Sequence, residues 1–345
     1  MPDHQTPCET ALLAGQYDVA ESEARAWARH LPEGKEHDPR PHFALNAVHL
    51  IRGQFADAWQ THQRCLQEAE DIAEVKQWVE SFVGKQQDNA HAHLIMGLFL
   101  AQSGESELSM KSYKEAAKLA PESAYPHYFL AQIHERANHL EMAIKEYREA
   151  VRLAPDYAPA RTNLGVAYQE QGRLEMAIPQ YREVIKLNPN DHIAHANLAC
   201  ALAEQGKMEP AVQSYKTALK LDPNDAEVHF ALGGLYETRG RLDLAEKTYR
   251  DALNANAEFG AAYSALGWLS LRKQRMQDAQ ELFSRALKCN EEDPRAYHGI
   301  AELYAIRGKR QSAMENYSKA VKLYRDPEMR NMLMNQLFQE GQVPD

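Results

Sequence analysis

The residues that could do chemistry are mostly histidines, and the chain has 15 of them. The segment HERANH, His134 to His139, comes nearest to a metal-dependent hydrolase motif. A helical zinc site needs two histidines four residues apart, so that both rings leave one face. His134 and His139 are five apart, which turns the second ring about 140° around a helix axis. No zinc site is expected there. Five other histidines, His42, His93, His127, His195 and His229, recur at one position of a 34-residue period. Equivalent helices in a stack lie about 8–10 Å apart, whereas metal ligands must each come within about 2 Å of one ion. The ladder therefore cannot share a metal, and the position reads as half-buried packing.

Other chemistry finds no support. Gly233-Gly234 falls inside a helical pattern, and Gly308-Lys309 lacks the earlier glycine of a phosphate-binding loop. Cys8, Cys65, Cys200 and Cys289 are far apart, with no CxxC pair. They read as reduced, unpaired thiols. No nucleophile has a base that the pattern would bring to it. The chain is expected to be no enzyme and to need neither cofactor nor metal.

The formal charge of the 345 residues is −10, which offers nucleic acid no concentrated basic surface. The longest apolar run, Leu94 to Ala101, is far below the roughly 18 residues of a spanning helix. The N-terminus shows no basic segment followed by an apolar run. These readings predict a cytoplasmic chain with protein partners, no nucleic acid and no membrane insertion.

The elements that carry these residues repeat every 34 positions, without a gap from Ala90 to Pro327. Gly104, Asn138, Gly172, Gly206, Gly240, Gln274 and Gly308 share one position. Ser109, Ala143, Ala177, Ala211, Ala245, Ala279 and Ala313 share another. Tyr113, Tyr147, Tyr181, Tyr215, Tyr249, Phe283 and Tyr317 follow four residues later. Pro121, Pro155, Pro189 and Pro223 close four of the copies. Apolar residues within each copy keep i, i+3, i+4, i+7 spacing, the mark of helices with one buried stripe. The glycine position makes a turn between two antiparallel helices, and the small residue lets them approach. Proline then stops the second helix, and Asn or Asp starts the next. One such hairpin cannot bury its apolar face, but a stack can.

Leu164-Gly165 with Tyr168, and Leu232-Gly233 with Tyr236, together with the Ala, Tyr and Pro positions, resemble the tetratricopeptide repeat. The resemblance covers nearly the whole chain and implies an all-α, right-handed superhelical solenoid of antiparallel helix pairs. Residues 1–72 fit two divergent copies, marked by Gly15, Ala20 and Pro32, then by Leu45, Gly53, Ala58 and Cys65, with His62 in place of the aromatic. The polar segment 33–38 joins them. Residues 73–89 carry Val75, Trp78, Val79, Phe82 and Val83 on one face, which predicts a single amphipathic helix outside the repeat plan. Residues 90–327 hold seven in-phase repeats. Residues 328–345, with Met329, Met332, Leu333, Leu337 and Phe338 opposite polar positions, read as a capping helix and tail.

The same resemblance implies that the first helix of each repeat lines a concave, partner-binding groove. Carried onto this sequence, it marks Tyr125, Tyr128, Phe129, Asn163, Asn197, Phe230, Trp268 and Arg272. Asn163 and Asn197 occupy one position in successive repeats. They are similar to the asparagine ladder of O-linked N-acetylglucosamine transferases, whose amides hold a peptide backbone. Asparagine is also common on the helix surfaces of such repeats, and both readings stand. The aromatics are expected to be exposed anchors that the helical stripe does not need. Lysines and arginines of a chaperone-tail clamp are missing, since Ile193, Glu227, Phe230 and Ala231 stand in their places. The expected function is a non-enzymatic scaffold or adaptor that binds a peptide or helix in the groove. The alternative is a regulatory or assembly subunit for a separately encoded enzyme, such as a glycosyltransferase or a polymer-assembly complex.

Overall fold

The computed structural model describes residues 5–31, 38–51, 72–83 and 86–342, and contains nineteen helices and no strand among them. Pro32, the joint at 33–37, Gly53, Ala58, His62 and Cys65 lie outside the described residues, as do the side chains of Val75, Phe82 and Phe338. The chain divides into two compact units, Met1–Leu187 and Asn188–Asp345.

The first unit opens with α1 (Gln5–Leu13), α2 (Tyr17–Arg29), α3 (Arg40–Ile51) and α4 (Ile72–Val83). Three helix pairs follow: α5 (Ala90–Gln102) with α6 (Ser106–Leu119), α7 (Ala124–Arg136) with α8 (Leu140–Leu153), and α9 (Ala158–Glu170) with α10 (Leu174–Leu187). The second unit contains α11 (His192–Glu204) with α12 (Met208–Leu221), α13 (Ala226–Thr238) with α14 (Leu242–Ala255), α15 (Gly260–Arg272) with α16 (Met276–Cys289), and α17 (Pro294–Ile306) with α18 (Arg310–Leu323). The terminal helix α19 (Pro327–Gln342) packs on α18 and buries Leu333 completely. Met332, expected on the same apolar face, is exposed.

The 34-residue register translates directly into geometry. Glycines 104, 172, 206, 240 and 308 all take positive φ between the two helices of a pair, where a side chain would be strained. Asn138 and Gln274 adopt the same left-handed conformation, at φ 58° and 60°. A non-glycine residue there costs roughly 1–2 kcal/mol. At Gln274 the flanking cations offset this. Lys273 reaches Asp243 at 2.8 Å and Glu246 at 2.7 Å, and Arg275 reaches Glu246 at 2.9 Å, so the turn is clamped to α14 of the preceding repeat. Two of the four closing prolines, Pro189 and Pro223, are followed by the expected caps, whereas Ser123 and Tyr157 after Pro121 and Pro155 make no side-chain capping hydrogen bond. Asp191 and Asp225 accept hydrogen bonds from the amides of Ala194 and Val228, each at 3.0 Å.

Packing within a pair depends on one contact. The second-helix aromatic is buried in every in-phase repeat, and its ring lies in a notch on the first helix. Glycine makes this notch at four positions. A Cβ on Gly165 or Gly233 would sit 2.5 Å from the Tyr181 or Tyr249 ring, and one on Gly267 would sit 2.6 Å from Phe283. Gly97 meets Tyr113 in the same way. Alanine occupies the same register at Ala131, Ala199 and Ala301, each fully buried. The hydroxyls find partners on the first helix. Tyr147 donates to Glu135 at 2.8 Å, Tyr181 to Gln169 at 3.0 Å, Tyr249 to Glu237 at 2.9 Å and Tyr317 to Glu302 at 2.8 Å.

The N-terminal region departs from a simple stack. Trp78 on α4 lies edge-on to Trp27, with ring centroids 5.7 Å apart, and to Phe43 at 6.0 Å, while Phe43 meets Phe99 at 5.6 Å. Cys8, Leu12, Val79 and Ile95 complete one buried cluster drawn from α1 to α5. The helix expected to run to Asn89 ends at Val83. Asn89 instead caps α5, accepting from the amides of His91 at 2.9 Å and Ala92 at 3.2 Å.

Filling a notch should force the pair apart locally, because solenoid units touch only their neighbours. Gly165→Val is expected to cost about 1–3 kcal/mol by overpacking, and hydrogen exchange should rise in residues 158–187 and stay low in α16 to α18. A uniform rise would contradict the packing assigned here. A second expectation concerns acid. Partial burial by itself raises the Glu246 carboxyl, but hydrogen bonds from Lys273, Arg250 and Arg275 outweigh it and bring it down to about 2. Its contribution is therefore fully present above the unfolded carboxyl value near 4.5 and is lost as pH falls towards 2. Urea titrations of Glu246→Gln and the parent chain should differ at pH 6 and converge near pH 2. A constant gap would show that the clamp does not titrate.

Candidate interaction faces

The first helices carry every residue marked from the sequence, and each unit presents its own set. In the first unit, tyrosines dominate. Tyr125 on α7 lies edge-on between Tyr17, at 6.2 Å, and Tyr157, at 5.5 Å. Tyr157 continues to Tyr128 at 5.1 Å, and Tyr128 to Phe129 at 5.1 Å. Phe129 stacks on Tyr113 at 5.4 Å, with the rings 18° from parallel. Tyr17, from the start of α2, also pairs its hydroxyl with His91 Nδ1 at 2.8 Å. Burial pushes the phenols of Tyr17, Tyr128 and Tyr147 far above their usual range, so they stay neutral hydrogen-bonding groups.

This corrects the expectation for two anchors. Tyr128 is 0% and Phe129 4% exposed, so neither ring projects into an open groove. Tyr157, which packs on Tyr128, comes from a repeat-closing loop, and Tyr17, which packs on Tyr125, from the N-terminal hairpin. The helical stripe alone names neither as a partner, which is why the sequence made them look spare. Tyr125 is half-buried. Asn163 is half-buried too, and its amide donates to the Tyr147 hydroxyl at 3.2 Å, leaving its carbonyl oxygen for other contacts.

In the second unit the aromatics are also part of the packing, though half-exposed. Phe230 lies edge-on to Phe259 at 5.3 Å and tilted against Tyr249 at 5.4 Å. Trp268 meets His298 at 4.7 Å and Phe283 at 5.9 Å, and its Nε1 donates to the Arg295 carbonyl at 3.2 Å. The expectation that the fold needs neither ring fails for the same reason: each spans from its own repeat to the next. Arg272 is exposed and pairs with Glu237 at 3.2 Å. Asn197 differs from all of these. It is half-exposed, and its side chain makes no hydrogen bond among the described residues. Ile193, one turn earlier on α11, is 55% exposed.

The histidine ladder has a role that spacing did not reveal. His93, His195 and His229 point a ring nitrogen at the carbonyl six residues back, Gln87, Pro189 and Pro223, at 2.8, 3.1 and 2.9 Å. They tie the first turn of a helix to the preceding loop. His127 instead meets Glu146 at 2.7 Å, and His42 is buried. In HERANH the left-handed Asn138 turns the chain between His134 and His139, whose rings are 6.2 Å apart. A different set, His192, Asp222 and Asp225, brings possible metal-ligand atoms within 4.8 Å of one another. Both aspartates already serve the turn, Asp222 accepting from the Asn224 amide at 3.0 Å and Asp225 capping α13. No described helix is long and apolar enough to cross a membrane.

Comparison with known proteins agrees with this geometry. Tetratricopeptide repeat models match residues 90–123 and 136–172. Among solved structures, a tetratricopeptide repeat protein from Parabacteroides merdae is similar, with a TM-score of 0.61 at 16% identity over 72% of this chain and 98% of that one. The APC/C hetero-tetramer Cut9–Hcn1 gives 0.59 at 16% identity, over 92% of this chain and 59% of that chain. Yeast Tom70 gives 0.56 at 13% identity, over 98% and 88%. These likenesses show the fold. Compared with the curated proteins, the chain finds no match. A model described as the cilia and flagella-associated protein 70 C-terminal domain matches residues 157–345, more than half of the chain. The protein thus belongs to the cilia and flagella-associated protein 70 C-terminal domain family, a family of tetratricopeptide repeats.

Proposed function

We propose that this chain is a non-enzymatic protein-interaction scaffold, and that its partners bind along the first helices of the repeats. The observation that carries the reading is a contrast in how side chains are used. The second-helix tyrosine hydroxyls of four repeats are consumed internally, and the first-helix aromatics bridge to neighbouring elements. On the same first-helix faces the side-chain amide of Asn197 has no partner among the described residues, and Ile193 exposes an apolar side chain that the core does not use. An amide donates and accepts at once, which suits a peptide main chain of any sequence. An exposed isoleucine one turn away suits an apolar side chain of the same ligand. Membership of a family named for cilia and flagella makes a ciliary or flagellar protein the natural partner class.

Affinity capture from ciliated or flagellated cells, with the full chain as bait, tests this. Asn197→Ala should weaken capture by about two- to tenfold, the loss of one net hydrogen bond, with the melting temperature unchanged. Ile193→Asp should weaken it further. Full capture by the double variant, together with loss of capture on changing the exposed second-helix residues Met142 and Leu244, would refute the reading. Trp268→Ala serves as the contrast. Since Trp268 packs between α16 and α17, its removal should destabilise the second unit by about 3 kcal/mol, measured by urea denaturation. A neutral result would mean that the ring is spare after all.

A further inference from the structure

The first unit holds a cavity of about 290 Å³ between α5 and α7, all of whose lining belongs to repeats three and four. Leu98, Phe129 and Ile133 form its apolar walls, and Tyr113 lies among them from the second helix. Gln102, Gln132 and Arg136 supply polar groups to it. This is the bottom of the size range of small-molecule pockets, about 300–1,000 Å³, and suits one bulky side chain.

Its polar groups are only partly used by the fold. Gln132 Nε2 donates to the Tyr128 hydroxyl at 3.0 Å, and Gln102 Nε2 donates to Asn46 Oδ1 at 3.4 Å. Both leave a carbonyl oxygen able to accept a peptide N–H. Arg136 is exposed and forms no hydrogen bond or ion pair among the described residues. The adjacent carboxylate, Glu135, accepts from the Tyr147 hydroxyl and feels Arg136 only as a minor through-space charge. A guanidinium presents five donors in a planar fork that matches a carboxylate. A cation that forms no ion pair, in the lining of a cavity with both apolar and polar walls, therefore has a definite complement.

We propose that this cavity is a docking pocket for an extended partner segment carrying a bulky apolar residue and, two positions later, an aspartate or glutamate. Alternate residues of an extended chain leave the same side, so the apolar side chain enters between Leu98 and Ile133 while the carboxylate meets Arg136. The inference rests on the scaffold reading above and gives it a ligand chemistry.

The probe is the blocked tripeptide Ac-Phe-Ala-Glu-NH2, titrated into the full chain and followed by the methyl signals of Leu98 and Ile133. Both should shift, and the apparent Kd should be about two- to fivefold lower than for Ac-Phe-Ala-Gln-NH2, the advantage of one exposed charge pair. Arg136→Gln should erase that difference, and Ac-Ala-Ala-Glu-NH2 should not shift the methyls. Ala101→Leu, which adds bulk to the cavity lining, should abolish binding with the fold intact by circular dichroism. The proposal is overturned if the glutamine probe binds equally well, if Arg136→Gln keeps the preference, or if only a free terminal carboxylate, as in Ac-Ala-Phe, is bound. It is also overturned if shifts appear on other first helices but not at Leu98 and Ile133. In that case the scaffold reading stands without this pocket. Failure of that reading has its own signature: partner capture unaffected by every first-helix variant.

Discussion

A single contact repeated along the chain organises the structure: an aromatic ring of the second helix seated in a glycine or alanine notch of the first. Removing the Cβ at Gly165, Gly233 or Gly267 lets the ring reach the helix backbone. The small residue four positions before the aromatic, always fully buried, lets the two axes close on the ring. Hydrophobic burial supplies most of the gain, at roughly 25 cal/mol per Å². The phenolic oxygen adds orientation, because it must reach Glu135, Gln169, Glu237 or Glu302. The turn glycine, the caps and the closing proline all serve to deliver the ring to that place. So do His93, His195 and His229, which fasten three helix starts to the loops before them.

This explains which parts of the molecule could be read from sequence. The turn at Gly104 to Gly308, the small residue and the buried tyrosine obey a local rule, repeat by repeat, and they stand in the structure where the 34-residue register puts them. Contacts between repeats obey no local rule. Tyr128 looked spare because its partner Tyr157 sits in the loop before the next repeat, and Trp268 looked spare because its partner His298 lies 30 residues on. The N-terminal region was harder still. Trp78 is sandwiched by rings from α2 and α3, and Tyr17 reaches α5 and α7, so the core there is built across distances that no period reports. Arg136 illustrates the remaining gap. A basic residue at a helix C-terminus is expected on helix-dipole grounds, so its type carried no hint that it would stand unpaired beside a cavity.

The division of labour between the helices follows from the same contact. A second helix spends its aromatic and its small residue on its own pair, although apolar residues such as Met142, Met176 and Leu244 stay exposed on it. A first helix contributes the notch and a bridging residue and keeps some positions over. Those positions vary in character: tyrosine-rich in α7, amide and aliphatic in α11, cationic at Arg136 and Arg272. A fold that fixes spacing while leaving such positions unconstrained can present different chemistry at regular intervals, as an elongated partner requires. It also explains why the fold is shared with proteins as different as Tom70 and the Cut9–Hcn1 complex at 13% and 16% identity.

The most direct test is hydrogen exchange on the chain alone and on its native complex, resolved by helix. The account predicts that partner binding slows exchange in first helices such as 124–136, 192–204 and 226–238, and leaves 140–153, 208–221 and 242–255 unchanged. Protection confined to the second helices, with the first helices exchanging as in the free chain, would contradict it.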